Sequence, residues 1–158
     1  MPSSPVLAAA LAMLLAAPAQ ASGARDPSGF TFSVDIGGGG DLGGPTGVFE
    51  GELTAGYGFG RSAALELALL LGMAPGNYFG LRPGLHVALP DTPVYLRVAV
   101  DVAGPNGSLD WRWFLLGAGA ELRFTGVVGA FAEADTGIPL SRAFGVPLLA
   151  RAGVFFNF

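Results

Sequence analysis

Counting back from the last residue, every second position is apolar: Phe158, Phe156, Val154, Ala152, Ala150 and Leu148. Arg151, Gly153 and Asn157 are among the residues between them. A period of two places one set of side chains on one face of a strand. The same alternation recurs along the chain in about eight segments of roughly ten residues each. They are 30–38, 48–59, 62–71, 78–89, 93–102, 113–124, 127–135 and the terminal strand. One face of each is Leu, Val, Ala and Phe, and the other carries the charge, diluted with Gly, Ala and Thr. The pattern predicts an all-β chain built from antiparallel hairpins.

Composition narrows the class. Apolar residues make up 51% and charged residues 13% of the 158, against roughly 25% charged in ordinary soluble domains. Mean hydropathy is +0.55. After residue 21 no apolar run approaches the ~20 residues of a membrane helix. High hydropathy without such a run is what strands with one lipid-facing side produce. All eight basic residues are Arg. With a pI near 4.7 and no basic cluster, nucleic-acid binding is excluded. Absence of cysteine excludes disulfides and thiolate metal sites. Residues 1–21 read as a signal peptide: an apolar run over 6–17, then Ala19-Gln20-Ala21 as a small-x-small cleavage site. Residues 1–5 carry no Lys or Arg, a departure from that pattern. Residues 22–158 then form one domain.

Connections alternate in predicted length. Tight turns fall at 60–61, 90–92 and 125–126, and longer Gly/Pro/Asn/Asp-rich loops at 37–47, 72–77, 103–110 and 136–145. In a membrane barrel short turns face the periplasm and longer loops the outside. Aromatics sort the same way. Phe30, Tyr57, Phe59, Phe124, Phe156 and Phe158 fall at one set of strand ends, and Phe49, Tyr78, Phe79, Trp111, Trp113 and Phe114 at the other. Two aromatic girdles around an aliphatic band are what the two membrane interfaces select.

The opposite faces carry Asp35, Glu52, Glu66, Arg82, His86, Arg97, Asp101, Glu121, Glu133 and Arg151, together with Glu50 and Asp135. These are read as a lumen charge network. Pairing Leu89 with Val94 across the tight turn sets Arg82 opposite Asp101 and His86 opposite Arg97. Ordering by height groups Glu66, His86, Arg97 and Glu121, and brings Asp35, Glu133 and Arg151 together across the closing seam. Gly37-Gly38-Gly39-Gly40 is followed by no helix or Lys-Ser/Thr, so it is read as a flexible loop and not a phosphate cradle. The acidic residues lack the spacing of a calcium loop. No cofactor or metal is expected.

The mature chain resembles a small eight-stranded Gram-negative outer-membrane β-barrel of the OmpA/OmpX-like type. The resemblance rests on architecture and the terminal Phe158 strand. It implies an up-and-down transmembrane barrel, exported through the secretory pathway. It also implies contact with outer-membrane lipid and lipopolysaccharide, and recognition of the last strand by the barrel-assembly machinery. A monomer is expected. Enzymes on such barrels use a His with Ser and an acidic partner near the outer surface. The one histidine, His86, is followed by Val87-Ala88 and falls near the opposite end, so no catalysis is expected. The leading expectation is a structural or surface-interaction role through the outer loops. A narrow channel for ions or small solutes is the second, and a soluble periplasmic lipocalin-like binder, with faces inverted, the third.

Overall fold

The computed structural model describes residues 29–42, 47–60, 62–74, 76–105 and 108–158. The signal peptide expected over 1–21 and the lead that follows it lie outside the described residues. Eight antiparallel strands form one closed barrel in sequence order: β1 Gly29–Leu42, β2 Gly47–Phe59, β3 Ala63–Ala74, β4 Tyr78–Ala88, β5 Val94–Gly104, β6 Trp111–Arg123, β7 Val128–Pro139 and β8 Val146–Asn157. β8 closes on β1, with Phe32 opposite Phe156 and Val34 opposite Val154. Closure leaves no unpaired edge.

Alternation fixes which side faces out. Phe32, Val34 and Ile36 on β1, Leu65, Leu67 and Leu71 on β3, and Leu148 and Val154 on β8 are all exposed on the outer wall. Arg82, Asp101, Glu52 and Arg151 are almost wholly buried in the bore. This is the reverse of a soluble barrel, where burial of apolar surface drives folding. Small residues make room for the long ones. A Cβ on Gly37 would strike the stem of Arg151, and one on Gly119 would strike the Tyr95 ring.

One end, the turn end, holds both ends of the barrel chain and the connections 60–62, 89–93 and 124–127. Gly60 (φ +80°) and Asp91 (φ +59°) supply the left-handed residues of the first two, a conformation Gly adopts freely and Asp tolerates. Thr125 Oγ1 accepts the Val127 and Val128 amides at 3.2 and 3.0 Å in the third.

The other end, the loop end, differs from expectation. Strands run on into the segments read as long loops, so the connections shrink to 43–46, 75–77, 105–110 and 140–145. The glycine run is not a loop. Gly37 to Gly40 pair with β2 on one side and β8 on the other. Ladder bonds from both neighbours outweigh the roughly 0.5–1 kcal/mol that each glycine costs in a strand. A second departure is a bulge in β6. Asp101 pairs with Trp113 and Val102 with Trp111, leaving Arg112 as the extra residue.

Candidate functional site: the ion-paired lumen and the loop-end mouth

The lumen is organised in tiers. Nearest the loop end, Arg82 and Arg112 clamp Glu50 and Asp101. Arg82 Nη2 and Nε donate to Asp101 Oδ2 at 2.5 and 3.1 Å, and Nη2 also reaches Glu50. Arg112 Nε donates to Asp101 Oδ1 at 2.5 Å and Nη2 to Asp101 Oδ2 at 3.0 Å, and Nη2 reaches Glu50 Oε2 at 3.3 Å. The Tyr78 hydroxyl donates to Glu50 Oε2 at 2.6 Å. β2 and β6 are diametrically opposite, so the Arg112–Glu50 contact crosses the whole bore.

Glu52 is the centre of the middle tier. It accepts from Arg82 Nη1 at 2.5 Å, Arg97 Nη2 at 2.8 Å and Arg151 Nη1 at 2.6 Å, and from Thr54 Oγ1 at 3.1 Å. Three guanidiniums around one carboxylate repel each other. Glu133 and Asp135 offset this: Arg151 donates to Asp135 Oδ2 at 3.0 and 2.8 Å and contacts Glu133, and Arg97 Nη1 lies 3.4 Å from Glu133. Nearest the turn end, His86 Nδ1 lies 3.5 Å from Glu66 and Nε2 lies 3.8 Å from Glu121, and the imidazole stacks on Tyr95 at 4.3 Å. Arg97 Nε is 3.3 Å from Glu66.

All ten residues read from sequence as the charge network therefore point into the bore. The register argument holds for Arg82 with Asp101, and His86 pairs directly with Arg97. At the seam Glu133 and Arg151 pair directly, and Asp35 stands one diagonal step from Arg151, which is opposite Gly37. Among the described residues Asp35 makes no ion pair; it lines a small turn-end chamber with Glu52, Glu66, His86 and Glu133. Glu50 and Asp135 belong in the network as full members. Arg112 was missed, because strict alternation from Trp113 onward leaves it outside the strand.

Two girdle assignments fall. Trp113 is 1% exposed because it shares the inner phase of Leu115, opposite Phe114 and Leu116; the β6 bulge then turns Arg112 inward and Trp111 outward. Tyr78 is also turned inward, since its neighbour Phe79 takes the outer position. The other ten aromatics lie on the outer wall: Phe30, Phe49, Tyr57, Phe59, Phe79, Trp111, Phe124 and Phe158 are exposed, and Phe114 and Phe156 are partly so. Inside, Trp113 packs with Val48, Ala99, Leu115 and Leu149, with Tyr78 and Phe144 against them. Among the described residues no group of His, Asp and Glu side chains has the geometry of a metal site.

A closed up-and-down barrel of eight strands with this interior defines a fold class, the small eight-stranded barrel of outer-membrane proteins. The chain shares that fold with the crystal structure of neisserial surface protein A (NspA), at TM-score 0.57 and 19% identity over 83% of this chain and 98% of that one. Two looser similarities are to the N-terminal β-barrel domain of Pseudomonas aeruginosa OprF (TM-score 0.49, 21% identity, 81% and 97% covered) and the solution structure of the de novo designed TMB2.3 (0.45, 19%, 85% and 98%). No family model matches the chain, and no curated protein matches it in sequence.

Proposed function

We propose that this chain is a transmembrane barrel of the Gram-negative outer membrane, with a sealed lumen and a structural or surface-interaction role at its loop end. The carrying observation is the inversion of its faces. Phe30, Phe32, Ile36, Leu65, Leu67, Trp111 and Leu116 are each half or more exposed, while the charge is buried. A continuous apolar wall of this kind marks a membrane or partner surface, and a soluble lipocalin-like binder would need the opposite arrangement. In this reading the outer aromatics sit at the two interfaces, and lipid and lipopolysaccharide cover the wall. The Phe158 strand meets the assembly machinery, and residues 1–21 direct export. The protein works as a monomer.

The sealed lumen favours this role over a channel. Arg82, Arg97, Arg112 and Arg151 reach across the bore to carboxylates on facing strands, and eight strands leave space only for side chains. His86 serves the network and performs no catalysis in this reading. The test is physical. The purified chain should fractionate with outer membranes and require detergent. A monodisperse monomer in buffer without detergent would overturn the membrane assignment.

A further inference from the structure

The loop end of the barrel opens into a cavity of about 320 Å³ that the sealing network does not fill. Its walls are Tyr78, Trp113, Phe144, Val48 and Ala103, and its floor is the Arg112 guanidinium. The walls are fixed from behind. Trp113 Nε1 donates to the Gly145 carbonyl at 3.0 Å and its ring meets Phe144 edge-on at 5.4 Å. The Gly145 amide donates in turn to Asp41 Oδ2 at 3.1 Å, tying the 140–145 connection to β1. The Arg112 guanidinium lies 4.5 Å from the Tyr78 ring centre and 4.6 Å from that of Trp113. Below it lie the bonds of Arg112 and Arg82 to Asp101 and Glu50. A preformed concavity with aromatic walls and a few polar groups is the usual anatomy of a small-molecule site.

Size and charge narrow the occupant. A cavity of about 150 Å³ holds a benzene molecule, so this one takes a substituted ring with a short chain. Arg112 is engaged by Asp101 and Glu50 beneath it and adds little free positive charge. Two carboxylates line the cavity: Asp41, which accepts the Gly145 amide, and Asp110, which is exposed. We propose that the loop-end cavity binds small aromatic amines, with the ring against the partly exposed Tyr78 and Phe144 and the ammonium toward Asp110. A cation at an aromatic rim gains from the ring faces as well as from the carboxylate. The site would make the loop end a ligand-recognition surface, and it stands whether or not the barrel also has a structural role.

The test uses the full chain in detergent micelles, titrated calorimetrically with tyramine, its neutral alcohol analogue tyrosol and the anionic 3-(4-hydroxyphenyl)propionate, with empty micelles as reference. Tyramine should bind saturably, about tenfold tighter than tyrosol, on the scale of one charge-assisted hydrogen bond, and the propionate least. Asp110→Asn should bring tyramine down to the affinity of tyrosol. Ala103→Phe, which fills the cavity, should abolish binding of all three. No saturation beyond empty micelles, equal affinity for amine and alcohol in the unmodified chain, or an amine preference that survives Asp110→Asn would each overturn the proposal. If Ala103→Phe does not fold, the Asp110→Asn comparison decides alone.

Discussion

Arg82 shows how much one residue can hold. It is fully buried and bonded to Glu50, Glu52 and Asp101, so Arg82→Ala leaves three carboxylates to share the remaining cations. Breaking a buried pair from one side costs about 3–5 kcal/mol, and urea unfolding from lipid vesicles should read a loss in that range. The pairwise term with Asp101 is smaller than the whole. Arg112 also serves Asp101, so a double-mutant cycle on Arg82 and Asp101 should return a coupling of about 0.5–3 kcal/mol, less than the single loss. Glu52→Gln fails differently. It removes the charge that holds Arg82, Arg97 and Arg151 together, and should destabilise at least as much as Arg82→Ala in the same assay.

Strands are where the sequence was most readable, and the bulge in β6 is where reading stopped. Parity alone located all eight strands and put Arg82, Asp101, Glu52 and Arg151 on one face, because every residue between turns keeps the phase of its neighbours. Lack of lysine and the small residues between the charges chose that face as the inner one. An inserted residue breaks phase without any compositional mark. Arg112 and Trp113 both turn inward, so the alternation that correctly orients Trp113 to Leu122 would turn Arg112 outward. Tyr78 and Phe79 are adjacent, and parity allows only one of them outside. The glycines of β1 looked like a loop because nothing local shows that two flanking strands will bond them. The side chain that bridges each pair in the lumen was legible only where register was fixed by a turn. Asp35, far from any tight turn, joins the seam group without an ion pair of its own among the described residues.

Two measurements belong to these elements. On the membrane reading, Leu67, on the outer face of β3, should tolerate no charge: Leu67→Arg should cost about 2–4 kcal/mol in a bilayer if it sits near mid-depth. The corrected orientation of Trp113 can be seen optically. In a Trp111→Phe background, emission from Trp113 should resist quenching by brominated acyl chains, whereas Trp111 in a Trp113→Phe background should be quenched. Equal quenching of both would return Trp113 to the outer wall.

At the scale of the whole molecule, the ion-paired bore and the small turn-end chamber of about 20 Å³ argue against a continuous water path. Planar-bilayer recording from pure protein should show little or no conductance. Steady porin-like currents would promote the channel function and require Arg82, Arg97 and Arg151 to move away from Glu52. The same network sets a schedule for assembly. Glu52 lies on β2 and Arg151 on β8, 99 positions apart, so the bond forms only when the two sides of the closing seam meet. On the membrane reading, each strand until then carries an apolar side suited to lipid and a charged side that is not. A half-built sheet entering hydrocarbon alone would drag unpaired carboxylates and guanidiniums with it, at several kcal/mol apiece. Strands that arrive one at a time are therefore penalised, and insertion is tied to zipping the first and last strands together. Weakening Glu52 should accordingly slow that final zipping step in a vesicle-insertion time course more than it slows the first adsorption of the chain to the membrane.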